Sequence, residues 1–253
     1  MTKISRELVE TREKEFYSAF YKGELYNPLG KKLCLQRELS SLMGLSKRKK
    51  LKNVLSIGCG NGLFETILAP YAEHITAIDI SPEAIDAAKA RQEKLGISNI
   101  SFQSKSFANI SWNEKFDSII CLAFLHHVRE EDLPGFLELV YKHLNPDGFF
   151  YSQDPNINGI LRKLGRIVLG SNYDKYHTPD ERELDPRELK QLLEKVRFTS
   201  FKINHLDLTL IPSIYMFTKE YKWLMYTCLI LDWLWSKSIF ASWASGFAMI
   251  SYK

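Results

Sequence analysis

The sequence predicts an α/β protein in which helices cover both faces of a mostly parallel sheet. Between residues 53 and 154, short apolar segments that fit buried strands alternate with segments of helical spacing, and this alternation is typical of parallel sheets. The first apolar segment ends in three glycines at alternate positions, in the stretch Gly58 to Gly62. Helical spacing resumes directly after it, so a helix N-terminus and close-approaching backbone amides predict a ligand site at this corner.

Seven strands are expected along the chain. They span residues 53–57, 74–80, 100–103, 116–123, 148–153, 198–208 and 246–252. The helix after the second strand begins with Ser81 as N-cap and Pro82 at the first helical position, and an apolar stripe is expected from Ala84 through Leu95. The segment Asn145 to Gly148 predicts a turn that ends one helix before the fifth strand.

Four parts are expected in order along the chain. Residues 1–46 read as an N-terminal helical cap over the sheet, 47–211 as the core, 212–245 as an aromatic helical insertion and 246–253 as the last strand. Within the core, residues 160–168 predict an amphipathic helix whose apolar residues face inward and whose Arg162, Lys163 and Arg166 face outward.

The insertion at 212–245 holds four of the five tryptophans. Its uncharged stretch, residues 223–231, is far shorter than the roughly 20 residues that cross a bilayer. Three interpretations stay open: core packing, a lid over an apolar acceptor, or a surface that enters a membrane interface.

Composition excludes several classes of protein. A formal charge of +4 is too weak a bias to predict a nucleic-acid partner. The four cysteines lie far apart and match neither a metal pattern nor a dense disulfide framework, so no metal site is expected. The N-terminus lacks a signal-peptide core, and a cytoplasmic protein is predicted, with peripheral membrane contact as an open alternative and the oligomeric state undetermined.

The core resembles the class I S-adenosylmethionine-dependent methyltransferases. The resemblance is carried by Ile57 to Gly62, by Asp79 about 20 residues after the glycine corner, by the strand Phe116 to Leu122 and by Leu125 to Val128. It implies a Rossmann-like, seven-stranded sheet whose sixth and seventh strands are antiparallel. It also implies S-adenosylmethionine as methyl donor and a small-molecule or lipid-like acceptor.

The resemblance assigns a set of donor-binding residues: Ser56, Gly58, Cys59, Gly60, Asn61, Gly62, Asp79, Ile80, Ser106, Phe107, Leu122 and Ala123. The glycine corner would line the methionine part, Asp79 the ribose, Phe107 the adenine and Leu122 to Ala123 the methionine amino group. Asp79 has an alternative role as a capping acid before Ser81. Relatives usually carry acids at the positions of Ser56 and Ser106, so this chain lacks charge that would favour a sulfonium ligand.

Two histidines, His126 and His127, are the candidate catalytic bases. Imidazole titrates near neutral pH, and the segment after the fourth strand should border the transferred methyl group. Adjacent residues on a turn rarely both face a site, so either histidine has packing as its alternative role. Tyr26 and His177 are weaker candidates.

Two other functions compete with methyl transfer. An NAD(P)-dependent oxidoreductase also uses a glycine-rich corner and an acid after the second strand, but the corner here lacks the GxGxxG spacing. A non-catalytic subunit that binds the methyl donor is the second alternative, because Ser56 and Ser106 replace the usual acids.

Overall fold

The computed structural model describes residues 28–107, 114–169, 181–216 and 221–253. The candidates Tyr26 and His177 lie outside these ranges, as do residues 1–27 of the expected N-terminal cap.

The predicted sheet is confirmed. Its seven strands are β1 (Leu51–Ile57), β2 (Ala72–Asp79), β3 (Ile100–Ser104), β4 (Phe116–Leu122), β5 (Leu144–Pro155), β6 (Thr199–Leu206) and β7 (Gly246–Tyr252). They are ordered β3-β2-β1-β4-β5-β7-β6. β7 pairs antiparallel with both β5 and β6, and the other neighbours are parallel. The strand order reverses between β1 and β4, which creates the crevice where such sheets bind ligands.

The described α-helices are α1 (Pro28–Ser46), α2 (Leu63–Leu68), α3 (Pro82–Lys94), α4 (Leu133–His143), α5 (Ile160–Leu169), α6 (Pro186–Lys195), α7 (Leu210–Met216) and α8 (Lys222–Trp235). Short 3₁₀ turns lie at Ala69–Tyr71, Leu125–His127 and Ala241–Trp243. The helices cover both faces of the sheet, and two large apolar clusters fill the space between sheet and helices.

The N-cap of α3 forms as predicted, because the Ser81 hydroxyl accepts a hydrogen bond from the Ala84 amide at 3.1 Å. The apolar stripe, however, is shorter than predicted. Ala84, Ile85 and Ala88 are buried, whereas Leu95 is 56% exposed. Leu95 follows the last helical residue, so its side chain has left the face that packs on the sheet.

The predicted turn at Asn145 to Gly148 lies inside β5 instead of before it. Leu144 already pairs with Phe116, and pairing resumes between Phe149 and Ser118. The intervening residues form a bulge, in which Asp147 has a φ of 60°. The turn chemistry therefore acts as predicted, but the neighbouring β4 continues the pairing on both sides of it.

The orientation predicted for α5 is only partly correct. Lys163 and Arg166 are exposed as predicted, but Leu164 and Ile167 are also 49% and 78% exposed. The Arg162 side chain is 17% exposed, and both Arg162 and Arg166 pair with Glu183, at 2.9 and 3.1 Å. A periodic stripe shows that a helix has two faces but not which face the domain covers.

A third apolar cluster joins α1 to α7 and α8. Gly30 of α1 approaches α7 so closely that a Cβ at this position would lie 2.4 Å from Ile214 Cγ1. The three helices therefore pack as one group, and residues of α1 and α7 line the cavity described below. No helix within the described ranges combines the length and hydropathy needed to traverse a bilayer.

Candidate active site

The glycine corner between β1 and α2 is built from left-handed backbone. Gly58, Gly60 and Gly62 have φ angles of 72°, 52° and 70°, a region that only glycine enters without strain. The amides of Gly58 and Cys59 donate to the Ile78 carbonyl at 2.9 and 3.0 Å. The sequence interpretation assigned these amides to a ligand, but they instead fasten the corner to β2.

A cavity of about 800 Å³ opens beside this corner. All but one of the predicted donor-binding residues line it: Ser56, Gly58, Cys59, Gly60, Asn61, Asp79, Ile80, Ser106, Phe107, Leu122 and Ala123. The exception is Gly62, which is a packing position, because a Cβ there would lie 2.6 Å from Phe102 and 2.8 Å from Ala88. Both candidate histidines, His126 and His127, also line the cavity.

Asp79 at the end of β2 connects the corner to the next helix. Its Oδ2 accepts from the Gly60 amide at 2.8 Å and its Oδ1 from the Ser81 amide at 2.9 Å. Burial raises the pKa of the carboxyl, and the hydrogen bonds from these amides oppose that shift. Each carboxylate oxygen can accept a further hydrogen bond, so Asp79 combines the capping role with a position on the cavity wall.

Glu65 in the first turn of α2 supplies an acid beside Ser56. The Ser56 hydroxyl donates to Glu65 Oε1 at 2.6 Å, and the carboxyl is 2% exposed and lines the cavity. Its second oxygen, Oε2, is buried without a hydrogen-bond partner among the described residues. Burial raises the pKa of Glu65 to about 7. The carboxyl group that the sequence lacks at Ser56 is therefore supplied by α2.

Phe107 lies 8% exposed on the cavity wall, with its ring centroid 4.7 Å from that of Phe136. It serves both proposed roles, because it packs in the core and presents an apolar surface to the cavity. At the end of β4, Ala123 has a φ of 50°, and its amide donates to the Gln153 carbonyl at 2.7 Å. This strained residue lies at the crevice, where unusual backbone is common in ligand sites.

His126 is oriented by a carboxylate. Its Nδ1 lies 3.0 Å from Asp154 Oδ1, and its backbone amide donates to the same oxygen at 3.2 Å. Asp154 on β5 is fully buried, and this burial raises its pKa well above the usual value. Because Oδ1 already accepts from the backbone amide of His126, it acts as the acceptor for the ring as well. We therefore assign the Nδ1 proton to His126, which leaves Nε2 as the acceptor nitrogen of the neutral ring.

His127 lies directly beside His126, and the ring centroids are 3.9 Å apart. Its Nδ1 is 3.9 Å from Glu181 Oε1, which is an electrostatic contact and too long for a hydrogen bond. We take His126 as the first candidate base, because its 3.0 Å contact with Asp154 defines its tautomer and orientation.

The end of the cavity bordered by α1 and α7 carries a buried charged cluster that the sequence interpretation missed. Arg37 Nη1 lies 2.6 Å from Asp207 Oδ1, and Arg37 Nη2 lies 3.3 Å from Glu38 Oε1. Desolvation raises the pKa of Glu38 to about 7. Arg37, Glu38 and Asp207 line the cavity together with the apolar Ile211 and Ile214, so this end has one polar and one apolar wall.

Two of the missed residues carried a sequence signal. Glu65 is an acid in the first turn of the helix that follows the glycine corner, and Asp154 is an acid near the end of a strand beside the crevice. Arg37 and Asp207 carried none, because their proximity depends on how α1 packs across the sheet.

The residues present fit a methionine-bearing nucleoside. Substitution at Gly58 would fill the corner, since a Cβ there would lie 2.5 Å from the Phe124 ring, and Glu65 presents a buried carboxylate oxygen in need of a donor. The glycine corner, the acid on the next strand and the crevice at the strand reversal together define the class: an S-adenosylmethionine-dependent methyltransferase of class I.

Comparison with known proteins supports the same class. The family model described as a methyltransferase domain matches residues 48–211, and the chain belongs to this family. The oxidoreductase alternative is therefore wrong.

The individual relatives share between 18% and 33% sequence identity with this chain. The chain is 33% identical over 134 residues to nodulation protein S of Azorhizobium caulinodans, which covers 52% of this chain and 63% of that protein. It is 26% identical to a ubiquinone biosynthesis O-methyltransferase of Rickettsia canadensis, over 70% of this chain and 80% of the relative. The solved N-methyltransferase NodS of Bradyrhizobium japonicum, in complex with S-adenosyl-L-homocysteine, has a TM-score of 0.58 at 18% identity, with 87% of each chain covered. The last similarity concerns the fold alone.

Proposed function

We propose that this chain transfers a methyl group from S-adenosylmethionine to a small amphipathic acceptor bound at the charged and apolar end of the cavity. One observation carries the proposal: the same cavity is lined by the glycine corner, by His126 and by the cluster around Arg37. A donor site and an acceptor site that share one cavity can hold two reactants in near-attack geometry, which can supply on the order of 7–11 kcal/mol.

The donor half is assigned as the sequence resemblance implies. Gly58 to Asn61 would contact the methionine part, Asp79 the ribose hydroxyls and Phe107 the adenine. We add Glu65, whose buried Oε2 would accept a hydrogen bond from the methionine ammonium group. S-adenosylmethionine supplies an activated methyl group on a sulfonium. The protein therefore has chiefly to position the donor and the acceptor and to exclude water from them.

The acceptor is activated by His126. In the proposed step, a bond forms between the acceptor atom and the methyl carbon while the bond from that carbon to sulfur breaks. The proton that the acceptor loses goes to His126 Nε2, and Asp154 stabilises the imidazolium through the 3.0 Å contact with Nδ1. His127 remains beside the reacting ring as the second candidate base.

The acceptor wall favours a molecule with one polar and one apolar end. The Arg37–Asp207 ion pair can hydrogen-bond a polar group, and Ile211 and Ile214 present aliphatic surface to the same space. A small or lipid-like acceptor matches this wall, with the chain working in the cytoplasm or beside a membrane.

Two measurements test the proposal. Calorimetric titration with S-adenosyl-L-homocysteine should show binding, and titration with NAD should show none. Transfer of a labelled methyl group should then be measured against hydrophobic phenols and primary amines. Binding of the nucleoside with no transfer to any acceptor, by wild type at high enzyme concentration, would favour the non-catalytic subunit instead.

A further inference from the structure

The outer face of α8 is apolar and exposed. We define it by five side chains along one side of the helix: Trp223 (70% exposed), Tyr226 (50%), Ile230 (58%), Trp233 (62%) and Leu234 (53%). The apolar surface continues past the helix, where Ile239 is 89% exposed. Soluble domains usually bury such side chains, and a contiguous apolar patch with two tryptophans marks an interaction site.

The orientation of α8 is fixed by its opposite side. Met225 and Cys228 are buried against α1 and α7. Asp232 on the same side accepts from the Thr209 amide at 2.6 Å and from the Thr209 hydroxyl at 2.7 Å. Rotating the helix to hide the outer face would expose this packing and break these hydrogen bonds. The apolar face therefore stays outward in the folded domain.

The exposed charges that residues 221–245 themselves carry have one sign. Lys222 and Lys237 are exposed at the two ends of α8. Asp232 is the only acid between residues 221 and 245, and it is buried. Within residues 221–245, the surface therefore combines tryptophan and tyrosine with flanking lysines and has no exposed carboxylate.

We propose that the outer face of α8 docks on the interface of an anionic lipid bilayer. Tryptophan and tyrosine favour the headgroup boundary, because one end of each ring system is apolar and the other can hydrogen-bond. Lysines beside an apolar helical face add attraction to anionic lipids. The helix is about 21 Å long, so it lies in the interface plane and does not span.

A second copy of this chain fits the same face less well. In a symmetric contact through α8, Lys222 would meet either Lys222 or Lys237 of the other copy, whichever way the helices ran. Residues 221–245 offer no exposed acid to pair with them, and like charges placed opposite each other disfavour the contact.

Docking would also bring a bilayer close to the wall of the cavity. The buried side of α8 packs on α7, and Ile211 and Ile214 of α7 line the cavity. The surface proposal does not require methyl transfer, however, because membrane binding is measured on the protein without any acceptor.

Cosedimentation of the full chain with vesicles tests the proposal. Wild type should bind vesicles that mix phosphatidylcholine with phosphatidylglycerol, and its tryptophan emission should shift to shorter wavelength. The variant W223A/W233A should lose affinity on the order of tenfold per tryptophan. K222E/K237E should bind phosphatidylcholine as wild type does and lose the preference for phosphatidylglycerol.

Tyr71→Ala is the matched control, because Tyr71 is 42% exposed and precedes β2 at the other end of the sheet. It should bind vesicles like wild type, and S-adenosyl-L-homocysteine titration should show that every variant is folded. Failure of wild type to bind anionic vesicles, or equal binding by W223A/W233A, would overturn the proposal. So would sedimentation velocity that shows a lipid-free dimer abolished by W223A/W233A, because the face would then belong to a second copy.

Discussion

Replacing Glu65 with glutamine separates recognition of the methionine part from recognition of the nucleoside. The glutamine side chain is nearly isosteric, and its amide oxygen can still accept from the Ser56 hydroxyl, which lies 2.6 Å from Glu65 Oε1. What the variant loses is the negative charge facing the proposed ammonium group. A hydrogen bond to a charged group contributes about 1.5–3 kcal/mol, so S-adenosyl-L-homocysteine affinity should fall about 10- to 150-fold.

The assay compares two ligands by calorimetry at pH 8. 5′-Methylthioadenosine keeps the adenine, the ribose and the sulfur but lacks the amino-acid part, so its affinity should not change in E65Q. The effect on S-adenosyl-L-homocysteine should also depend on pH. Because burial raises the pKa of Glu65 to about 7, wild-type affinity should rise as the pH passes from 6 to 8, and the E65Q profile should be flatter in this range.

Glu73→Gln is the control, since Glu73 is an exposed acid near the start of β2. It should leave both affinities unchanged. The reasoning fails if E65Q weakens both ligands equally, which would indicate a distorted corner, or if it weakens neither, which would place the ammonium group elsewhere.

The remaining predictions concern four other residues. Asp79→Asn should weaken S-adenosyl-L-homocysteine and 5′-methylthioadenosine alike by about 1.5–3 kcal/mol, and calorimetry that showed a loss for only one ligand would contradict the ribose role. His126→Ala should lower kcat about 10²- to 10⁴-fold with unchanged donor affinity, and Asp154→Asn should lower kcat in the same assay; normal turnover in both would exclude the base. Glu38 has a folded pKa of about 7 against 4.5 for the free group, so its stabilising protonated form is fully present below pH 4.5 and is lost as the pH rises through 7. Urea unfolding should therefore show a loss on the order of 3 kcal/mol across this window, smaller in Glu38→Gln, and an equal loss in both proteins would contradict the assignment.

The features predicted correctly from sequence are those that short segments determine. The glycine corner needs positive φ at Gly58, Gly60 and Gly62, and no tertiary contact changes that requirement. Ser81 caps α3 through an atom three residues away. The strands alternate with helices, so a parallel sheet follows from chain geometry. These local constraints were sufficient to locate the cavity.

The incorrect predictions are those that depend on which face of an element the domain covers, or on residues distant in the sequence. The stripe of α5 predicts two faces correctly, but Glu183 lies on the basic side and draws Arg162 inward. The turn at Asn145 to Gly148 has the expected left-handed Asp147, yet β4 pairs on both sides and converts it into a bulge. Asp207 and Arg37 are 170 positions apart along the chain, so no sequence period relates them.

The relation between Ser56 and Glu65 shows why a missing residue in a motif is weak evidence against function. The serine removes a charge from the end of β1, and this loss kept a non-catalytic role open. The carboxyl of Glu65 reaches the same place from the first turn of α2, where Ser56 holds one of its oxygens. The electrostatic interaction of a carboxyl group with a bound cation depends on their distance and burial, and not on which segment of the chain carries the carboxyl group. The two serines at 56 and 106 therefore have to be judged separately: a carboxyl compensates for the first, and the titration of E65Q measures how much of donor binding depends on it.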